Sequence, residues 1–172
     1  MPNWCENELS VAGDPERVKA FRETVKGEEP LDANKLIPYP EHFRSLDEAT
    51  HRWDEEHPVV DGKLPEGVTW ADRPQDGFNQ GGYEWCLENW GTKRGFCDVE
   101  VADEWEGRVE FTFSTAWSPP RPLIKKMGEM FPDLDFELRY YEGGNGFQGS
   151  LIMREGRVVQ EWHGEYGGTR GG

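Results

Sequence analysis

Four stretches of this chain carry apolar side chains on alternate residues, a spacing that suits a half-buried β-strand and little else. In residues 4–12, Cys5, Leu9 and Val11 point one way, and Trp4, Glu6, Glu8 and Ser10 the other. In residues 96–102 the inward set is Cys97, Val99 and Val101. In residues 108–116 it is Val109, Phe111 and Phe113, after a turn at Glu106-Gly107. In residues 134–141 it is Leu134, Phe136, Leu138 and Tyr140. A strand slipped by one residue would turn its whole apolar set to water, so the register of such strands is strongly specified.

Helical signals separate these strands. Asp14 is placed to cap free amides and Pro15 suits the first helical position, with Val18, Phe21 and Val25 as the core stripe and Gly27 as the stop. Ser118-Pro119 predicts a second start, with Leu123, Met127 and Met130 as its stripe and Pro132 as its end. Residues 82–90 read as a short helix with Tyr83, Leu87 and Trp90 on one face, ended by Gly91. Residues 28–38 read as an extended segment that docks through Leu31, Leu36 and Ile37. A last hairpin, 147–153 and 157–162, turns at Glu155-Gly156, and the Gly-rich tail 164–172 is expected to fray.

Residues 41–80 differ from the rest. They hold Pro58, Pro65 and Pro74, many charges, and Trp53 and Trp70 as separate anchors. The expectation is an insertion or long loop, with one helix at 44–56. Without it and without the hairpin, the order is β-α-β-β-α-β. The expected fold class is therefore α+β: a single ferredoxin-like domain over residues 1–172, an antiparallel sheet with two helices on one face.

The polar sides of the strands predict an open sheet face of Glu6, Glu8, Asp98, Glu100, Glu110, Thr112, Ser114, Asp135, Glu137 and Arg139. A sheet that reads RNA needs stacking rings and basic groups there. Seven carboxylates and one arginine, on a chain of formal charge −15, exclude direct binding to a phosphate backbone. The face is either solvated surface or the seat of a basic partner or divalent cations.

Other constellations are weaker. Gly144-Asn145-Gly146-Phe147-Gln148-Gly149 matches G-x-G-x-x-G, but the strand-like SLIM follows it where a helix is needed, so it reads as a hairpin with a bulge. His51, Asp54, Glu55 and His57 match no strong metal template. Cys5, Cys86 and Cys97 lack a disulfide pattern and read as buried small hydrophobes. The start, Met1-Pro2-Asn3-Trp4, has no basic region or apolar run, and no stretch approaches a membrane span. No membrane association is expected, no cofactor, and a cytoplasmic location.

The most specific cluster is Asn3-Trp4, Asn89-Trp90-Gly91-Thr92-Lys93 and Trp117-Ser118-Pro119-Pro120, all at ends of elements. Indole walls beside Asn, Thr and Lys suit a small polar pocket or a peptide clamp. The alternative is that the rings plug the sheet ends while the polar side chains satisfy backbone groups. The ligand-binding candidates are Asn3, Trp4, Asn89, Trp90, Thr92, Lys93 and Trp117.

Met1-Pro2-Asn3-Trp4-Cys5-Glu6-Asn7, the run ENWGTK from Glu88 to Lys93, TAWSPP from Thr115 to Pro120, and Arg139-Tyr140-Tyr141-Glu142 together resemble the YubB-type ferredoxin-like domain family. The resemblance covers most of the chain outside residues 41–80, with the motifs in the same order. It implies the fold and an association with plasmids and phages, and it implies no activity. The leading expectation is a non-enzymatic binding protein with a Trp-lined pocket. The alternatives are an acidic protein that occludes a basic or nucleic-acid-binding partner, and a metal-dependent enzyme that uses the insertion.

Overall fold

The computed structural model describes residues 3–168. The chain packs as two compact units. One contains the residues up to Pro38 and from Cys86 onward, and the other is Tyr39–Trp85.

The first unit holds a six-stranded antiparallel sheet. Its strands are β1 (Trp4–Ala12), β2 (Cys97–Trp105), β3 (Arg108–Ala116), β4 (Asp135–Glu142), β5 (Phe147–Arg154) and β6 (Arg157–Glu165), in the order β2-β3-β1-β4-β5-β6. The helices of this unit are α1 (Pro15–Val25), the single turn α2 (Ala33–Leu36) and, further along the chain, Arg121–Met130. The domain is a ferredoxin-like α+β fold with an antiparallel sheet. Period-two patterning explains one face of it: Leu9, Val11, Phe111, Phe113, Phe136, Leu138 and Leu151 are all buried. Phe21 of α1 sits at their centre, edge-on to Phe111, Phe131 and Phe136 at centroid distances of 6.5, 5.4 and 5.4 Å. Arg17 of the same helix is ion-paired to Asp133.

Local chemistry sets the helix ends. The Asp14 carboxylate accepts from the N–H groups of Glu16 (3.0 Å) and Arg17 (3.2 Å), so α1 starts at Pro15. Asp32 caps α2 by accepting from Asn34 N–H (2.9 Å), so residues 33–36 form a helical turn where an extended segment was expected. Helix Arg121–Met130 begins after Pro120 with no side-chain cap, not at Ser118-Pro119. Ser118 Oγ instead donates to Gly91 O at 2.6 Å.

The second unit contains α3 (Glu41–Glu56), two short 3-10 turns at Trp70–Asp72 and Phe78–Gln80, and the first residues of α4 (Gly82–Asn89). Residues 41–80 are thus no open loop. Arg73 makes a two-pronged pair with Asp54 (2.7 and 2.6 Å), and Asp47 accepts from Phe78 N–H (2.9 Å). Trp53 and Trp70 are not separate anchors, since their rings lie 6.4 Å apart. The helix Arg121–Met130 is α5.

Two expected faces and the expected tail need correction. In β2 only Val99 is buried. Pairing with β3 slips between Cys97 and Glu100 and again between Val101 and Asp103, and Asp98 adopts a positive φ of 51°. Each slip is a bulge that breaks the alternation. On α4 the buried side chain is Cys86, with Trp90 one turn on, while Leu87 is exposed. Gly164 and Glu165 belong to β6, while residues 169–172 of the expected tail, like Met1 and Pro2 of the opening motif, lie outside the described residues.

Candidate functional site

The face of the sheet away from Phe21 is built in transverse rows, because residues directly opposite one another in an antiparallel pair share a face. The central row runs Glu100–Thr112–Glu8–Arg139–Ser150–Trp162 across all six strands. One neighbouring row is Asp103–Glu110–Ser10–Glu137–Ile152–Gln160. On the other side lies Ser114–Glu6–Tyr141–Gln148–Gly164. Asp98 stands at the first bulge of β2, outside these rows.

The rows divide the face by chemistry. Over β2, β3 and β1 the groups are Glu6, Glu8, Glu100, Asp103 and Glu110. Arg108 pairs with Glu110 at 2.8 Å and lies over the Trp105 ring, 5.7 Å from its centroid. Among the described residues no cation pairs with Glu6, Glu100 or Asp103. Over β4, β5 and β6 the groups are Tyr141, Gln148, Ser150, Ile152, Gln160 and Trp162. Tyr166 stacks on Tyr141 at 5.4 Å and 21°, held by its N–H to Gly146 O. At the seam, Arg139 is paired with Glu137 at 2.6 Å.

Two surface cavities lie on this face. One of about 350 Å³ is lined by Glu8, Ser10, Arg108, Glu110 and Thr112. One of about 590 Å³ is lined by Tyr141, Gln148, Ser150, Ile152, Trp162 and Tyr166. Glu8, Glu137 and Arg139 line both, so the two form one trough with an acidic end and an aromatic end. The open face expected from the sequence stops at Arg139, short of the aromatic end. Its signal was present in the alternation Arg139-Tyr141, Gln148-Ser150-Ile152 and Gln160-Trp162.

The expected Trp cluster has a different place. Trp90 is buried and its indole N–H donates to Ile37 O at 2.8 Å. Thr92, fully buried, donates to Ala116 O at 2.9 Å, and Trp117 N–H donates to Asn3 O at 2.9 Å. Asn7 Nδ2 donates to Cys5 O (2.8 Å) and to Thr115 Oγ1 (3.0 Å), and Thr115 in turn donates to Ser118 O (2.8 Å). These bonds knit the end of β1 and β3 to the following chain. Trp4 and Trp117 stay exposed, and Trp117 has φ 72°, strained for a bulky residue. Asn3, Trp4, Asn89, Trp90, Thr92, Lys93 and Trp117 line neither half of the trough.

Nucleophile and metal chemistry find little footing. Burial pushes the Cys5 thiol up to about 12 and raises Cys97 as well, so both are thiols at neutral pH. In the Tyr39–Trp85 unit, His51 pairs with Glu55 one turn along α3 (3.2 Å), and His57 stacks on Trp53 while its Nδ1 meets Trp53 O (2.9 Å). The Arg73 hydrogen bonds hold the Asp54 carboxyl below its usual range. Among the described residues no group of three or more His, Cys, Asp or Glu is arranged to hold a metal ion. None of their helices is long and apolar enough to cross a membrane.

Comparison with known proteins agrees with this fold. Residues 96–170, which hold β2 through β6, match the family model of the ferredoxin-like domain in Api92-like protein (DUF1281_C). The crystal structure of a protein api92 from Yersinia pseudotuberculosis superimposes with a TM-score of 0.60 over 98% of this chain and 99% of that chain. Its identity of 13% makes it a likeness of fold alone. No curated protein matches in sequence.

Proposed function

We propose that this is a binding protein with no catalytic chemistry of its own, and that its open sheet face receives a basic protein segment. The observation that carries the reading is the trough, whose carboxylate end, flanked by Glu6 and Glu100, grades into an aromatic end across the central row. A cationic partner gains twice there. Its charges meet Glu6, Glu8 and Glu100, and an arginine or lysine side chain can lie over Trp162 or Tyr166, a contact worth about 0.5–1 kcal/mol at exposed sites. Phosphate is repelled by the same field, so the surface resembles the charge of a nucleic acid rather than a site for one. Occlusion of a nucleic-acid-binding partner is the consequence, in the cytoplasm and, following the family resemblance, in the setting of a mobile element.

Titration of the protein with an arginine-rich peptide in a calorimeter tests this. Binding should weaken steeply as salt rises, because the Debye length is about 10 Å at 0.1 M and shorter above it. Glu8→Lys with Glu100→Lys should remove most of the affinity at low salt. Affinity that ignores both salt and the double reversal sinks the reading.

One observation favours a second site. Exposed Trp4 and Trp117 sit at one end of the sheet, and Trp117 holds a strained backbone that its neighbours must enforce. A small polar ligand or peptide end held against this pair, near Asn3, would bind independently of salt. Trp117→Ala would then abolish it while leaving peptide binding at the trough intact.

A further inference from the structure

Among the described residues the sheet ends at β6, whose outer side offers a row of backbone N–H and C=O groups that no further strand of these residues meets. Nearly all of the strand is exposed, including Val158, Val159 and Trp162. Bare edges of this kind are templates for another strand, and folded proteins usually guard them with bulges, charges, lysine or proline. The opposite edge is guarded in this way: β2 has two slips in its pairing, a left-handed Asp98, and Glu100, Asp103 and Glu104. β6 has one irregularity, at Val159, and then pairs without interruption from Gln160 to Glu165. It contains neither proline nor lysine.

We propose that β6 is a self-association edge, on which a second copy of this chain adds its own β6 antiparallel about a two-fold axis normal to the sheet. Charge selects this occupant. Two chains of formal charge −15 repel across most of their surfaces. On β6, however, the open-face residues Gln160, Trp162 and Gly164 are uncharged. On the helix side, Glu161 is already neutralised by Arg121 and Lys125 of α5, each at 3.3 Å, which leaves Glu165, at the very end of the strand, as its one other carboxylate. This strip is where a second acidic chain meets least resistance, and a basic partner would find more attraction at the carboxylate end of the trough.

Charge also selects the register. With Trp162 opposite the second copy's Trp162, Glu161 faces the second copy's His163 and Gln160 faces its Gly164. Moving the axis to residue 161 sets Glu161 against Glu161, and moving it to 163 sets Glu161 against Glu165. Like charges directly opposite each other destabilise a strand pair. The Trp162-centred pairing is isologous and consumes both β6 edges, and β2 is too irregular to continue the sheet, so association closes at the dimer. The central row then runs on from Ser150 and Trp162 into the second copy, and the two aromatic trough ends adjoin.

Sedimentation equilibrium of the full chain, from micromolar to submillimolar concentration, should show a reversible dimer. Trp162→Glu sets two carboxylates against each other on the axis and should raise the dissociation constant at least tenfold, with an unchanged far-UV spectrum. Trp162→Cys should form a linked dimer under mild oxidation, because residues opposite in an antiparallel pair have Cα atoms about 4.5–5.5 Å apart, within disulfide reach. Glu165→Cys should not. A chain that stays monomeric throughout overturns the proposal. So does a dimer that Trp162→Glu leaves unchanged, or one that crosslinks equally well through Glu165→Cys.

Discussion

Replacing Trp90 with alanine separates a structural role from a ligand-binding one. Trp90 is 7% exposed, and its indole N–H reaches Ile37 O at 2.8 Å. Removal of a buried large aromatic costs about 3–5 kcal/mol, and the lost hydrogen bond adds about 1 kcal/mol. The expected loss of about 4–6 kcal/mol is a large share of a stability of roughly 5–15 kcal/mol. With a urea m-value of about 2 kcal/mol/M, the midpoint should fall by about 2–3 M. Trp162, 49% exposed on the sheet face, should shift the midpoint by less than about 0.5 M when cut to alanine, measured at a concentration where the chain is monomeric, because surface truncations usually cost under about 1 kcal/mol. The assay is urea unfolding followed by far-UV circular dichroism on both variants. A Trp90→Ala protein with the wild-type midpoint would refute the reasoning and return Trp90 to the list of ligand contacts.

Further outcomes follow from other sites. Glu142 is 2% exposed and accepts from the N–H groups of Gly144 and Asn145, both at 2.6 Å, so Glu142→Ala should cost about 2–4 kcal/mol by leaving two turn amides unpaired, read from the thermal midpoint. Gly149→Ala should destabilise by about 1–3 kcal/mol, because a Cβ there meets Tyr140 Oη and the backbone oxygen of Trp162; chemical denaturation would show it. The Cys5 thiol rises from 9.0 to about 12 on folding, so its contribution is intact below pH 9 and is lost as pH climbs from 9 to 12. The difference approaches about 4 kcal/mol, and Cys5→Ala should flatten the fall of stability over that alkaline window. Native Cys5 should also resist alkylation at pH 8 until denaturant is added, as mass spectrometry would record.

Much of the fold was legible because one face of the sheet is wholly buried. Leu9, Phe111, Phe136 and Leu138 each sit two residues from another inward side chain, and Asp14-Pro15 states a helix start in two residues. Legibility failed where geometry departs from period without a residue that announces it. Nothing around Asp98 signals that it will take a positive φ and slip the register of β2, so alternation alone puts Cys97 and Val101 in the core, where neither lies. The run Ser118-Pro119-Pro120 offers several helix starts. Ser118 is used to hold Gly91, which no local pattern reveals. Trp90 and Thr92 follow the end of α4, and Trp117 follows the end of β3. Whether an indole there faces core or water depends on partners as remote as Ile37. The acidic half of the open face was readable from Glu6, Glu8, Glu100 and Glu110. The aromatic half required knowing that β5 and β6 extend the same sheet beyond β4.

Backbone amide NMR shifts, recorded as an arginine-rich peptide is added to the labelled protein, test the central claim directly. The account predicts a footprint on alternate residues across the central row, with Glu100, Glu8, Ser150 and Trp162 shifting together and fading as salt is added. Shifts confined to the Tyr39–Trp85 unit, or to Asn3 and Trp117 at the sheet end, would contradict it.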